Sequence, residues 1–402
     1  MNLKNYIILR TKSTVVPRMD NLGANMARDY PSVLPQDAFE LIEAELTARE
    51  RRDLRDDPRV RAMALPMPLK LINPVEKKDV DKADLSSSTW GVQAVRATKS
   101  PYDGSGISVA VLDTGIDSQH PAFNGVELIQ KDFTTEDDTE EDNTDIDGHG
   151  THCAGTIFGR DVDGTRIGVA TGVSRAIIGK VLGKRGSPST KVAHAIRWAI
   201  EERAHVISMS FGIDFPGYVD LFVNTYGYEI EPATSIALEG YRQNLNLFNE
   251  LAQLVKAESA FGEGTVIIAA AGNASKRPEY EIAVAPPAAS TGIIAVGALE
   301  KTDSGLKEAR FSNNEVDISA PGVDIVSAAL GGGLVSESGT SMAAPHAAGV
   351  AALWAQRQRS LTGRVESGSL FAQIIASGTI EPLTKDIEED DVGTGIVQAP
   401  LS

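Results

Sequence analysis

Gly339-Thr340-Ser341-Met342-Ala343-Ala344-Pro345-His346-Ala347-Ala348-Gly349 places one serine between a glycine and an alanine-rich run. Small apolar residues in succession suit a buried helix packed close to its neighbours, and Gly-Thr-Ser is a place for such a helix to begin. The first turn of a helix offers free backbone N–H groups and the positive end of a dipole. An oxyanion forming beside Ser341 would meet donors already aimed at it, which makes the serine a candidate nucleophile. A capped core helix has the same pattern, so the choice rests on the rest of the chain.

Three stretches upstream bear on that choice. Val109-Ala110-Val111-Leu112-Asp113-Thr114-Gly115 reads as a buried strand ending on a carboxylate, at the edge where parallel sheets place their sites. Asp-Thr-Gly is also a common turn, and it is half of the paired Asp-Thr/Ser-Gly loops of an aspartic protease. Asp303-Ser304-Gly305 offers the other half, although Ala298 to Thr302 before it does not read as a buried strand. Asp147-Gly148-His149-Gly150-Thr151-His152-Cys153 crowds glycines around a histidine at an expected helix start. A general base needs an imidazole that reaches a hydroxyl and is oriented by a carboxylate. Neither spacing nor the single cysteine completes a zinc ligand set. Ala269-Ala270-Ala271-Gly272-Asn273 reads as an apolar strand ending on an amide able to donate to an oxyanion, with a turn or a glycosylation acceptor as the other readings of Asn273-Ala274-Ser275.

Taken in order, Asp113, His149, Asn273 and Ser341 with these flanks resemble the subtilisin-like serine peptidases over roughly residues 90–400. The resemblance implies acyl transfer in which Ser341 attacks a peptide carbonyl, His149 moves the proton, Asp113 orients the imidazole and Asn273 holds the oxyanion. It also implies that a substrate adds as a strand beside Gly186-Ser187 and Ser210-Phe211-Gly212, with Ala271 and Gly272 in the substrate-binding wall. No cofactor is required for this chemistry. Calcium is a structural candidate, through Asp142, Asp145 or Asp147 in the acidic loop, and a solvated loop is the alternative. Cys153 matches the thiol-bearing branch of the family. A non-catalytic relative that only binds peptides is the rival reading, which the intact four residues disfavour.

The expected fold is α/β, a mostly parallel central sheet with helices on both faces, in residues 89–402, because near-continuous apolar strands alternate there with helical stretches. Ahead of it, residues 1–72 read as a small α+β module: a strand within 6–16, a helix over 36–54, and short strand pieces between Val60 and Ile72 broken by Pro66 and Pro68. This module resembles the family's ferredoxin-like propeptide, an intramolecular inhibitor removed by self-cleavage between about Leu71 and Ser88. Residues 73–88, polar with three consecutive serines, read as an exposed linker. The stretch 213–261 is longer than compact members of the family need, which points to a reshaped cleft wall or a partner site, with Tyr218, Phe222, Tyr226 and Tyr228 packed internally or against a substrate.

Charge and composition set the outer limits. The net charge of −17 lies in the larger part, since residues 1–80 hold 14 basic against 12 acidic side chains and the rest hold 24 against 43. Such a surface argues against nucleic acid and against an anionic membrane as partner and suits solubility or cation binding, while protein or peptide substrates are what the resemblance implies. One cysteine permits no internal disulfide. The start, with an apolar run of only four residues, does not read as a signal peptide, so a cytoplasmic or leaderless-exported protein is expected, with secretion as the alternative because propeptides are more usual in secreted members.

Overall fold

A computed structural model of the chain describes residues 4–12, 39–81, 85–135, 143–183, 186–258, 262–385 and 387–402. Three antiparallel strands come first: β1 (Lys4–Thr11), β2 (Phe39–Leu46) and β3 (Val60–Ala64), in the order β2-β1-β3. Helix α1 (Ala48–Arg55) sits between the last two, started by a capping box in which Thr47 and Glu50 each satisfy the other's backbone N–H. The helix expected over 36–54 is thus a strand over Phe39–Leu46 and a helix only from Ala48 on. Phe39, Ile42 and Leu46 have the spacing of a helical stripe, but Phe39 and Leu41 pack on one face and Ile42, Ala44 and Leu46 on the other, and eight consecutive pairings with β1 decide for the strand. The ferredoxin-like reading extends into residues 13–38, outside the described residues.

Strands β4 (Pro68–Leu71) and β5 (Glu76–Asp79) follow, so the stretch expected as an exposed linker is in part a strand, held by pairing that its polar composition does not announce. After the short helix α2 (Trp90–Ala94) the large sheet begins. Its strands are β6 (Ser108–Asp113), β7 (Glu127–Asp132), β8 (Arg175–Lys180), β10 (Val206–Met209), β12 (Val266–Ala270), β13 (Ile293–Thr302), β14 (Gly305–Glu308) and β15 (Ile318–Pro321). They run in the order β14-β13-β12-β10-β6-β8-β7, with β15 also on β13, and every pairing is parallel except β13 with β14. The α/β architecture is therefore the expected one, a mostly parallel sheet with helices.

Alternation along these strands builds two cores. Val109, Val111, Val266 and Ile268 face one side, where α3 (His149–Phe158) and α7 (Thr340–Thr362) pack. Ala110, Leu112, Ile207 and Ile267 face the other, against α4 (Ser189–Glu201) and α6 (Ile230–Glu258). Burying each such aliphatic side chain contributes roughly 1.5–3 kcal/mol, which is why the strands are apolar on both faces. Ile7, Leu9, Phe39 and Leu41 of the N-terminal sheet belong to this second core, so that sheet docks on α4 and α6. The remaining elements are β9 (Ser187–Pro188), β11 (Phe211–Ile213), α5 (Phe215–Asp220), β16 (Ile325–Ala328), β17 (Leu334–Ser338), α8 (Ser367–Ala376) and α9 (Glu389–Val392).

Candidate active site

Asp113 ends β6, and His149 opens α3 close beside it, with Nδ1 2.8 Å from Asp113 Oδ1. The approach is possible because residue 150 is glycine: a Cβ there would lie 2.2 Å from the Gly115 carbonyl oxygen. Both side chains are buried. Burial works to lower the His149 pKa, but the Asp113 carboxylate, facing the ring at hydrogen-bond distance, carries it well above the ordinary histidine value of 6.5. Cys153, one turn on in α3, is a neutral thiol whose pKa burial pushes up to about 11. It makes one contact of note. Pro345 has no N–H to give the Ser341 carbonyl four residues earlier, and the Cys153 Sγ lies 3.3 Å from that carbonyl oxygen instead.

Ser341 stands at the N-terminus of α7 with Gly339 as the cap residue. Asn273, just beyond β12, is locked in orientation. Its Oδ1 accepts from the backbone N–H and the hydroxyl of Thr340, both at 2.9 Å, and this leaves Nδ2 facing outward. The Thr340 hydroxyl in turn accepts from the Gly272 N–H at 3.0 Å.

The cleft is filled by the chain itself. Strand β4 pairs antiparallel with β11, Leu71 opposite Phe211 and Lys70 opposite Gly212, and on its other edge with β9, Leu69 opposite Ser187. The Ile72 N–H donates to the Ser210 carbonyl, and a Cβ at Gly186 would collide with the Leu69 carbonyl. Gly186, Ser187, Ser210, Phe211 and Gly212 are thus brought together along residues 68–72. The Ser341 hydroxyl donates to the Ile72 carbonyl at 2.8 Å, and Asn273 Nδ2 donates to the Asn73 carbonyl at 2.9 Å. Ala271 and Gly272 line a cavity of about 1050 Å³ beside Ile72, with Phe215, Leu238 and Tyr241 also in its lining. The long stretch after β11 thus lines this cavity, in keeping with the cleft-wall reading of its extra length. Past Asn73 the strap joins β17 through β5, completing the sheet β16-β17-β5.

The acidic loop behaves otherwise than a calcium site requires. Asp145 is buried, and its carboxylate accepts from Thr114 Oγ1, from the N–H groups of Asp147, Gly148 and Thr151, and from Thr151 Oγ1. These bonds outweigh the burial that would raise its pKa, and hold it low. A carboxylate surrounded by donors is not a cation ligand, so the calcium reading loses Asp145. Asp147 is exposed, and Asp142 lies outside the described residues. Among the described residues the only cluster with metal-ligand spacing is Asp113, His149 and Cys153, which is the site just described. The aspartic-protease pairing fails on topology: Asp303 lies in the turn between β13 and β14, with β12 and β10 between those strands and β6. His152 is a packed neighbour, its Nε2 bonded to the Ile325 carbonyl and its pKa lowered to about 4 by burial.

No helix among the described residues is long and apolar enough to cross a membrane. Residues 104–382 match the model of the subtilase family. The chain is 31% identical to the major intracellular serine protease of Bacillus subtilis over 78% of its length and 88% of that protein. It is 35% identical to an intracellular serine protease of Paenibacillus polymyxa, over 68% of this chain and 74% of the other. With thermitase of Thermoactinomyces vulgaris it shares 32% identity over 68% of its own length and 85% of the relative's. A cleft that seats an extended chain against Ser341 and this family match lead to one identification: the chain belongs to the subtilase family and is a serine endopeptidase.

Proposed function

We propose that the protein hydrolyses peptide bonds through Ser341 as nucleophile, His149 as base and Asp113 as its orienter, and that the chain is made as a self-inhibited zymogen. A serine hydroxyl is a poor nucleophile until an adjacent base takes its proton. The tetrahedral oxyanion would be held by Asn273 Nδ2 and the Ser341 N–H, and His149 would return the proton to the leaving amine. None of these steps requires a metal ion.

The observation that carries the zymogen reading is the strap. Residues 68–73 lie in the cleft as a substrate would, hydrogen-bonded on both edges, and the chain runs on unbroken into β5. Ser341 and Asn273 address the carbonyls of two successive residues, Ile72 and Asn73, whereas attack needs both on one carbonyl. The Asn73–Pro74 bond adds a tertiary amide with no N–H. The strap is thus held as an inhibitor whose cleavage waits on a shift of the backbone. Residues 1–72 act as the intramolecular inhibitor, and 73–88 as the processed segment. The test is intact-mass analysis of the chain during incubation, beside Ser341→Ala. New termini between Leu71 and Ser88 are expected only with Ser341 present; the same fate for both chains refutes the zymogen reading.

A further inference from the structure

Glu337 is a carboxylate one residue from the end of β17, and it is only 1% exposed. Its Oε1 lies 2.7 Å from the Lys77 Nζ, and its Oε2, equally buried, has no hydrogen-bond partner. The His152 ring near it is kept neutral by burial and supplies no charge. An ionised carboxylate so placed is costly unless a cation attends it. Here the cation comes from the strap: Lys77 is the residue of β5 directly opposite Glu337, and about half of its side chain remains in solvent. When the strap leaves, the carboxylate stays where the fold puts it and its partner is gone.

We propose that Glu337 forms a subsite for a cationic side chain on the leaving-group side of the scissile bond, reading lysine or arginine at the fifth residue after it. This rests on the peptidase reading above, with the strap counted from the Ile72–Asn73 bond. The edge of β17 supplies the rail: the Val75 N–H donates to the Ser338 carbonyl at 2.7 Å, and Glu76, Lys77, Lys78 and Asp79 pair in turn with Ser338, Glu337, Ser336 and Val335. Successive side chains of a strand point to opposite faces, so the rail brings the fifth residue, and not its neighbours, to Glu337. Lys78 shows the contrast, pairing on the surface with the exposed Glu76 and Asp324.

The test uses the full chain with internally quenched peptides that differ only in Lys, Ala or Glu at that position, the cleaved bond being checked by product mass. The expected preference for Lys over Glu is about ten-fold in kcat/KM, roughly 1.4 kcal/mol. It should collapse in Glu337→Gln and invert in Glu337→Lys. Should those variants fail to fold, the peptide series on the unaltered chain still decides. Lys77→Glu adds a second readout, since it should hasten fluorophosphonate labelling of Ser341 by loosening the strap. Cleavage and labelling with no charge preference overturn the subsite alone. No cleavage and no labelling in any chain overturn the peptidase reading, and the subsite with it.

Discussion

Asn273 donates into the cleft because its other amide atom is already used by Thr340. Asn273→Ala should therefore lower kcat by 10²- to 10³-fold, about 3–4 kcal/mol, with KM little changed, as steady-state kinetics on a peptide substrate will read. As the proposed base His149 must be unprotonated, and although burial works to lower its pKa Asp113 raises it, so a pH profile of kcat/KM should fall on the acid side through a midpoint above 6.5. In Asp113→Asn the charge is lost while burial remains, and the acid limb of the labelling rate should move to lower pH as the rate itself falls by about 10⁴. These residues were legible because each stands in a motif whose glycines and strand are visible in one dimension. Asp145 was not. An acidic residue in an acidic loop carries no sign of whether its oxygens face solvent or five inward donors. Its replacement by Ala should lower thermal stability by about 1–3 kcal/mol, and the loss should be the same with calcium or with chelator.

Among the elements, the strap and the sheet ahead of it depend on shared packing. Met67, fully buried against α6 beside Gly240, anchors the passage from β3 to β4, and its N–H donates to the Ser189 hydroxyl. Met67→Ala should cost about 2–5 kcal/mol of docking and speed labelling of Ser341 in the uncut chain, measured as a rate against time. The central strands β6, β8, β10 and β12 were readable from their unbroken apolar runs, whereas Ala298–Thr302, which did not read as a buried strand, is the end of β13. Phe39–Leu46 was misread because charges between apolar residues fit a helical stripe as well as one face of a strand, and partners far along the chain choose between them. Glu76–Asp79 gave no apolar signal whatever, since its strand form comes from the backbone edge of β17.

Across the whole molecule, one sheet with two cores brings the ends of β6 and β12 and the starts of α3 and α7 to a single edge, and the chain then covers that edge with residues 68–79. The order of motifs made this arrangement readable. The extra length of 213–261 pointed to a cleft wall, but that Phe215, Leu238 and Tyr241 line it was hidden, because side chains far apart in sequence meet there only after α6 folds back. The proposed chemistry depends on Ser341 being the nucleophile under the strap. The most direct measurement is fluorophosphonate labelling with peptide mapping of the adduct, in the intact chain and after its own processing. A single adduct on Ser341, forming slowly before processing and faster after it, and absent from Ser341→Ala, is the expected result. An adduct on another residue, or equal labelling of the Ser341→Ala chain, would contradict it.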